Sequence, residues 1–372
     1  MTKHNLLPPV RLFFLVLIFS VGLSAGCLAR RQGGAAAGEG LPPGGVSGAA
    51  DAKSGAPSDA RRLFHVAAVG DIMMGTENLL PPDGAAGFFQ DVKPYLADRD
   101  LVVGNLEGPL TDRGAPTKTI VPGRSYCFRS PPEYGNRLKD AGFNAMSLAN
   151  NHANDYGPDG KAQTKEVLDS LGIRHAGDVG QITVFTVAGR EVAFIALAPN
   201  LGCQNINDIP GAVALVKKAL AENPARLVFV SFHGGAEGSA HMALPLGPEV
   251  YLGEQRGDLV NLAHQLVDAG AAAVIGHGPH VPRAVEVYKD RLIAYSLGNF
   301  ATAAGINVSG ATGLAPLLLF DVDGTGKLVD YSVVSFRQQM NKGPRLDPGD
   351  EARKVMDELG RDLAGRLAGR AK

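Results

Sequence analysis

The sequence contains no tryptophan, and aromatic residues make up only 6% of it. Sugar-binding platforms generally stack their ligand on exposed rings, so a role built on them has little support. Charge of one sign is equally scarce: 36 Lys+Arg stand against 37 Asp+Glu, with no block of like charge. That balance leaves no electrostatic footprint for nucleic acid, which is excluded as a partner. Cysteine numbers only three, without metal-site spacing, so a structural zinc site is excluded as well. Cys127 and Cys203 have the option of a disulfide outside the cytoplasm. Spacing cannot bring them together, and unpaired packing residues are the default expectation. What remains is an ordinary globular composition over 372 residues, 45% hydrophobic and 20% charged, enough for one large or two small domains.

The N-terminus is of another kind. A short basic region, "MTKHNLLPPVR", precedes the apolar core "LFFLVLIFSVGLSAG", Leu12 to Gly26. That core is shorter than the roughly 20 residues a spanning helix needs, so it reads as an export signal. It ends in "LSAGC", small residues directly before Cys27, which resembles a bacterial lipobox with the aliphatic residue one place early. Residues 1–27 are therefore expected to be a lipoprotein-type export signal, with Cys27 lipidated and the protein exported and membrane-anchored at the cell envelope. The alternatives are a soluble secreted protein or an uncleaved signal anchor. Residues 28–62 are dominated by Gly, Ala, Pro and Ser. Such a segment cannot bury a core and reads as a flexible tether.

From residue 63 short apolar runs alternate with helical patterns. "FHVAAVG", "LVVGN", "FNAMSLA", "LVFVSF" and "AAAVIG" read as buried strands, and "KAQTKEVLDSLG" and "GDLVNLAHQLVDAG" as helices closed by Gly. Hairpins are expected around Ala188–Gly189, Lys289–Asp290 and Asp323–Gly324. Apolar residues at Val355, Leu359, Leu363 and Leu367 predict an amphipathic helix in the segment 341–372. The expectation is one α/β domain over 63–340 with mixed sheets, followed by that helix.

The chemistry sits where the apolar runs stop. "VAAVGD" ends in Asp71, "LVVGNLE" in Asn105 and Glu107, "MSLANNH" in Asn150, Asn151 and His152, "LVFVSFH" in His233, and "AAVIGHGPH" in His277 and His280. In α/β sheets the carboxyl edge is where ligands bind. A lone His after a strand is usually a packing or loop residue; five such endings in succession point to a ligand set. Mixed carboxylate, amide and imidazole donors suit Mn²⁺, Fe²⁺ or Zn²⁺ better than Ca²⁺ or Mg²⁺. A set this large suggests two ions bridged by one carboxylate. Asn151 would give a metal its amide oxygen, His152 would point at substrate or a metal-held water, and Asp155 would orient His152. Glu237, four residues past His233, is a candidate for the same pocket. So are Asn150 and Asn299, for which strand and turn termination is the plainer reading. The remaining histidines have no supporting pattern.

In order, "GDIMMG", "NLEGPL", "SLANNHANDYG", "VSFHGGAEG", "IGHGPHVPRAVEVY" and "YSLGNF" resemble the bacterial capsule-synthesis proteins of the CapA type, associated with poly-γ-glutamate and capsular polymers. The resemblance covers roughly Phe64 to Phe300. That family is similar to the calcineurin-like metallophosphoesterases, which implies an α/β fold, a four-layer α/β/β/α sandwich of metallophosphoesterase type, around a dinuclear metal site. It implies Asp71 as a ligand of the first metal, Glu107 as the bridge, and Asn151 and His233 as ligands of the second. His277 and His280 stand for the closing His pair, and His152 for the catalytic histidine. The pattern departs at Met73, where phosphoesterases carry a His, and at Glu107, in place of an Asp. It departs again in "HGPH", whose two-residue spacing puts the reach of one histidine in question; many relatives carry a His at the Gly278 position. The first metal is accordingly expected to be weakly held or absent. Two functions follow: a hydrolase of the cell envelope using metal-bound water, or a non-catalytic accessory protein of polymer synthesis or export. The partners implied are an anionic surface polymer or its precursor, the membrane through the lipid anchor, and the capsule synthesis machinery.

Overall fold

The structure, a computed structural model, describes residues 62–370 apart from 77, 122–124 and 304–305. The expected export signal, Cys27 and most of the tether lie outside the described residues. The first strand, β1 (Phe64–Met73), is central to an eight-stranded sheet. Parallel to it on one side run β2 (Leu101–Leu106), β3 (Ala145–Ser147) and β4 (Arg174–Ala176). The second sheet is built around β6 (Arg190–Leu197), β7 (Leu227–His233) and β10 (Ala273–His277), all parallel. It is edged by the antiparallel strand β5 (Thr183–Val187) and by the hairpin of β11 (Val285–Tyr288) and β12 (Arg291–Ala294). A separate hairpin joins β8 (Glu249–Tyr251) to β9 (Glu254–Gly257).

β1 changes partner part-way along. As far as Val69 it pairs antiparallel with β14 (Leu314–Val322); from Asp71 onward it pairs parallel with β13 (Asn299–Thr302). The switch falls on Gly70, where a Cβ would lie 2.0 Å from the carbonyl oxygen of Gly298. Only glycine admits that approach, and it sets Asp71 directly opposite Asn299. Beyond β14 the sheet continues with β15 (Leu328–Gln339) and β16 (Gly343–Leu346).

The period-two alternation of the strands sorts their side chains into layers. Val66 and Ala68 of β1 join Phe194, Phe229, Ile275 and Phe320 in a core between the two sheets. Ala67 and Val69 face the other way, onto Leu138 of α2 (Gly135–Ala141) and Leu168 of α3 (Gly157–Ser170), with α1 (Lys93–Leu96) beside them. Ile195, Val230 and Phe232 cover the second sheet's outer face against α4 (Ile209–Glu222) and α5 (Leu259–Asp268). Asp208 and Asp258 start those two helices by accepting hydrogen bonds from Gly211 N and Asn261 N, the usual use of Asp at an N-cap. The layers are thus α/β/β/α, as expected.

The segment after 340 holds more than the expected helix. Its strand β16 pairs with β15, and the helix, α6, occupies Glu351–Arg370. Met356 of α6 enters the inter-sheet core and Leu363 the outer one. The hairpins at Ala188–Gly189 and Lys289–Asp290 carry both turn residues at positive φ, as two-residue turns require. The third is longer: β14 and β15 are joined by five residues, and its left-handed residue is Gly326, not Gly324. Cys127 and Cys203 are buried and free.

Candidate metal centre

The five strand ends read from the sequence belong to two sheets, and the sandwich brings them together. β1, β2 and β3 lead to Asp71, Glu107 and the Asn150–Asp155 turn; β7 and β10 lead to His233 and the His277–His280 turn. Asp71, Glu107, His233 and His277 are completely or almost completely buried. One ligand atom each from Asp71, Glu107 and His280 lies within 4.8 Å of the others.

Both histidines of the closing pair reach the cluster. His277 Nδ1 lies 3.5 Å from Asp71 Oδ1, and His280 Nδ1 lies 3.1 Å from Asp71 Oδ2. The two-residue spacing works because Gly278 takes φ +108° and His280 itself takes φ 59°, folding the turn back on β1. A side chain at position 278 has no room: its Cβ would stand 2.9 Å from Gly234 N and 3.1 Å from the His233 ring. His280 Nδ1 also donates to Asn299 Oδ1 at 2.9 Å, so Asn299 braces the centre and does not line the cleft. Asn105 Nδ2 donates to Asp71 Oδ1 at 2.9 Å, and Asn150 Nδ2 donates to Asn105 Oδ1 at 2.9 Å. Asn150 is thus a brace as well, its own Oδ1 accepting from His152 N. Met73 is buried and offers neither nitrogen nor oxygen.

On the other side the polar atoms have no partners. Both oxygens of Glu107, Oδ1 of Asn151 and both ring nitrogens of His233 and His277 are buried without a hydrogen bond. His233 Nε2 and Glu107 Oε1 stand 3.5 Å apart without hydrogen-bond geometry. Each such atom costs about 1–3 kcal/mol when left alone, and native structures rarely keep one without reason. They are carboxylate, amide and imidazole donors, a set that fits a divalent cation.

The electrostatics agree. Burial raises the Glu107 carboxyl to about 7, and burial, then Arg256, pushes His233 well below the ordinary histidine value, so it stays neutral. Burial opposes the charge on His280, but Glu107 and Asp71 together lift it to about 10. Burial likewise opposes the charge on Asp71, but the neighbouring His277 and His280 rings hold it below the ordinary carboxylate range. In the metal-free centre the His280 imidazolium is thus the counter-charge for two buried carboxylates.

His152 stands beside the cluster. Its Nδ1 donates to Asp155 Oδ2 at 2.7 Å, leaving Nε2 for the cleft. Asp155 is buried, accepts from Phe128 N at 2.7 Å at Oδ2, and forms an ion pair with Lys118, whose Nζ lies 2.6 Å from Oδ1. The Phe128 ring stacks on His152 at 4.1 Å. Sequence reasoning misses Lys118 and Phe128, because the loop that carries them has no periodicity; Asn105, two residues before Glu107, is legible as a strand-end amide. The cleft above, about 420 Å³, is lined by Lys118, Asn151, His152, Asn200, Glu237 and the β8–β9 hairpin. Glu237 faces it, its Oε2 lying 4.0 Å from His280 Nε2, held by Arg256 at 2.8 Å.

Residues 65–304, which contain the whole centre, match the family model described as bacterial capsule synthesis protein PGA_cap. The chain belongs to this family. Among curated PGA_cap-like relatives, the capsule biosynthesis protein CapA of Bacillus anthracis is 32% identical over 259 residues, covering 64% of this chain and 59% of that protein. The PGA biosynthesis protein CapA of Bacillus subtilis (strain 168) is 30% identical over 254 residues, covering 64% of this chain and 63% of that protein. The chain therefore spans less than two thirds of either relative's length. A 5'-nucleotidase precursor from Thermus thermophilus aligns with TM-score 0.42 at 14% identity, over 82% of this chain and 59% of that one.

Proposed function

We propose that this protein takes part in the synthesis of a cell-envelope polymer of the capsule or poly-γ-glutamate type, as a divalent-metal-dependent hydrolase. One observation carries the reading: at strand ends of both sheets, donor atoms of Glu107, Asn151, His233 and His277 are buried without hydrogen-bond partners, with His233 Nε2 3.5 Å from Glu107 Oε1 and His277 Nδ1 3.5 Å from Asp71 Oδ1. Asp71, Glu107, Asn151, His233, His277 and His280 would hold one or two ions of Mn²⁺, Fe²⁺ or Zn²⁺. Such ions supply Lewis acidity and lower the pKa of water, which suits hydrolysis of a phosphoester or a related bond. His152 would give or take a proton at Nε2; Asp155 fixes its tautomer, and the Phe128 ring fixes its plane. Export and anchoring through Cys27 would place this chemistry at the membrane surface. The capsule role rests on family membership, and the reaction on the site.

A second reading, a non-catalytic accessory protein, is favoured by Met73, which leaves the Asp71 side one nitrogen short. Elemental analysis of the purified protein, beside an Asn151→Ala/His233→Ala variant, separates the two. Stoichiometric metal and Mn²⁺-dependent cleavage of a phosphodiester, both lost in the variant, are expected. A folded parent that takes up no metal even with added Mn²⁺ would refute the hydrolase reading.

A further inference from the structure

Lys118 enters the cleft from a loop that belongs to neither sheet. Its ammonium lies 2.6 Å from Asp155 Oδ1 and donates to the Asn151 carbonyl oxygen at 2.8 Å, while 38% of the side chain stays in solvent. The same carboxylate holds His152 Nδ1 at Oδ2, 2.7 Å away. One buried Asp155 therefore pins both the ammonium and the imidazole. Asn151, whose orphaned Oδ1 belongs to the centre, pins the ammonium again through its backbone. A cation is thus fixed beside His152 in an open cleft.

These contacts do not use up the ammonium. It carries three donors; the Asn151 carbonyl oxygen takes one, and the ion pair with Asp155 engages a second. Asp155 does not depend on it alone, since Oδ2 also accepts from Phe128 N and His152. Among the described residues lining the cleft, the other cation is Arg256. It is only 2% exposed and donates to Glu237, Glu254 and the Gly235 carbonyl oxygen. Glu254, on the β8–β9 hairpin, keeps 57% of its side chain in solvent. An anionic group entering the cleft thus has one favourable place, at Lys118, and an unfavourable one at Glu254. One free donor and one charge suit a singly charged carboxylate; a phosphate dianion wants several donors at once. The walls farther on, Asn200, Asn205, Asn207 and Gln255, are carboxamides, which suit the amide links between such carboxylates.

We propose that Lys118 is a specificity-determining residue: its ammonium binds one free carboxylate of a poly-γ-glutamate-type chain and so seats that unit beside His152. This rests on the polymer role proposed above and is independent of whether the chain is cleaved there.

The test is a binding measurement on the full chain after chelation, so that neither hydrolysis nor a bound ion contributes. End-labelled poly-γ-glutamate oligomers are titrated beside the same oligomers with their carboxyls amidated, at about 0.15 M salt, where exposed charges act over roughly 8 Å. The parent should bind the carboxylate form about tenfold more tightly, a difference of about 1.4 kcal/mol. Lys118→Gln should lose most of that preference while binding the amidated form within about twofold of the parent, and Lys118→Arg, which keeps the charge, should restore it to within about threefold. A lysine that only braced Asp155 would change both oligomers alike. Lys289→Gln is the control for loss of one positive charge. Its turn precedes β12 at the edge of the second sheet opposite His277, and both affinities should stay as in the parent. The proposal is overturned, with the polymer role left standing, if Lys118→Gln keeps the parent's preference or if Lys289→Gln abolishes it equally. It is overturned likewise if Lys118→Gln abolishes binding of inorganic phosphate and leaves that of the carboxylate oligomer. A parent that binds neither oligomer overturns the polymer role and the proposal together.

Discussion

On one side of the centre Asp71 accepts hydrogen bonds from Asn105 and from His280 Nδ1, whose single N–H it shares with Asn299 Oδ1. On the other, Glu107, Asn151 and His233 carry buried donor atoms that bond to nothing, with Glu107 and His233 3.5 Å apart. The first half is held in place by the protein alone; the second is stable only at a cost that an incoming cation would remove. A site can therefore be organised in advance without being satisfied, and the unsatisfied half is where binding free energy is to be gained.

The largest effect should come from taking away the counter-charge. His280→Ala leaves Asp71 and Glu107 buried together, and should destabilise the metal-free protein by about 3–5 kcal/mol at pH 8. Urea unfolding after chelation measures it, and a midpoint equal to the parent's would show that the imidazolium compensates nothing. Next is Gly278→Ala. With φ +108° and a Cβ contact of 2.9 Å to Gly234 N, it should cost about 1–3 kcal/mol of backbone strain and displace both histidines; unchanged metal content in this variant would break the comparison.

The pH dependence of metal affinity sharpens it. Metal requires Glu107 ionised and His280 neutral, whereas the metal-free forms hold protons up to about 7 and about 10. Binding therefore displaces protons, and affinity should rise with pH and fall about tenfold per unit for each proton displaced as pH drops below 7. Calorimetry in buffers of different ionisation heat counts those protons; a count of zero would contradict the assignment. The smallest effect concerns the unpartnered half. His233→Leu removes two orphaned nitrogens, so the chelated variant should be as stable as the parent or up to about 1–2 kcal/mol more so. The metal-induced rise in melting temperature should disappear with it.

Much of this is legible in the sequence because strands and turns are local. Asp71, Glu107, His152, His233 and His277 each stand at or just after the end of an apolar run, and the Ala188–Gly189 and Lys289–Asp290 turns announce themselves by composition. What the sequence hides is what depends on a distant partner. Nothing near Asn299 says that β13 docks beside Asp71. Gly70 looks like any strand-end glycine until the Gly298 carbonyl lies against it. The reach of His280 depends on two left-handed residues, which a motif spacing does not encode. Lys118 and Phe128 act through Asp155, from a loop with neither periodicity nor a motif. The edge strand β16 escapes notice because four residues with a proline carry too little pattern to distinguish strand from linker.

The switch of β1 from β14 to β13 has a consequence in time. Asp71 and His280 are 209 residues apart in the chain, and at about 5–20 residues per second the ribosome needs roughly 10–40 s to make that stretch. Until residues 280 to 302 have emerged, Asp71 has neither His280 nor β13 beside it. A chain cut short before that point would retain Glu107, Asn151 and His233, and on the Asp71 side only Asn105 as a partner. The order of synthesis would thus complete any cation site only when the last part of the centre is made.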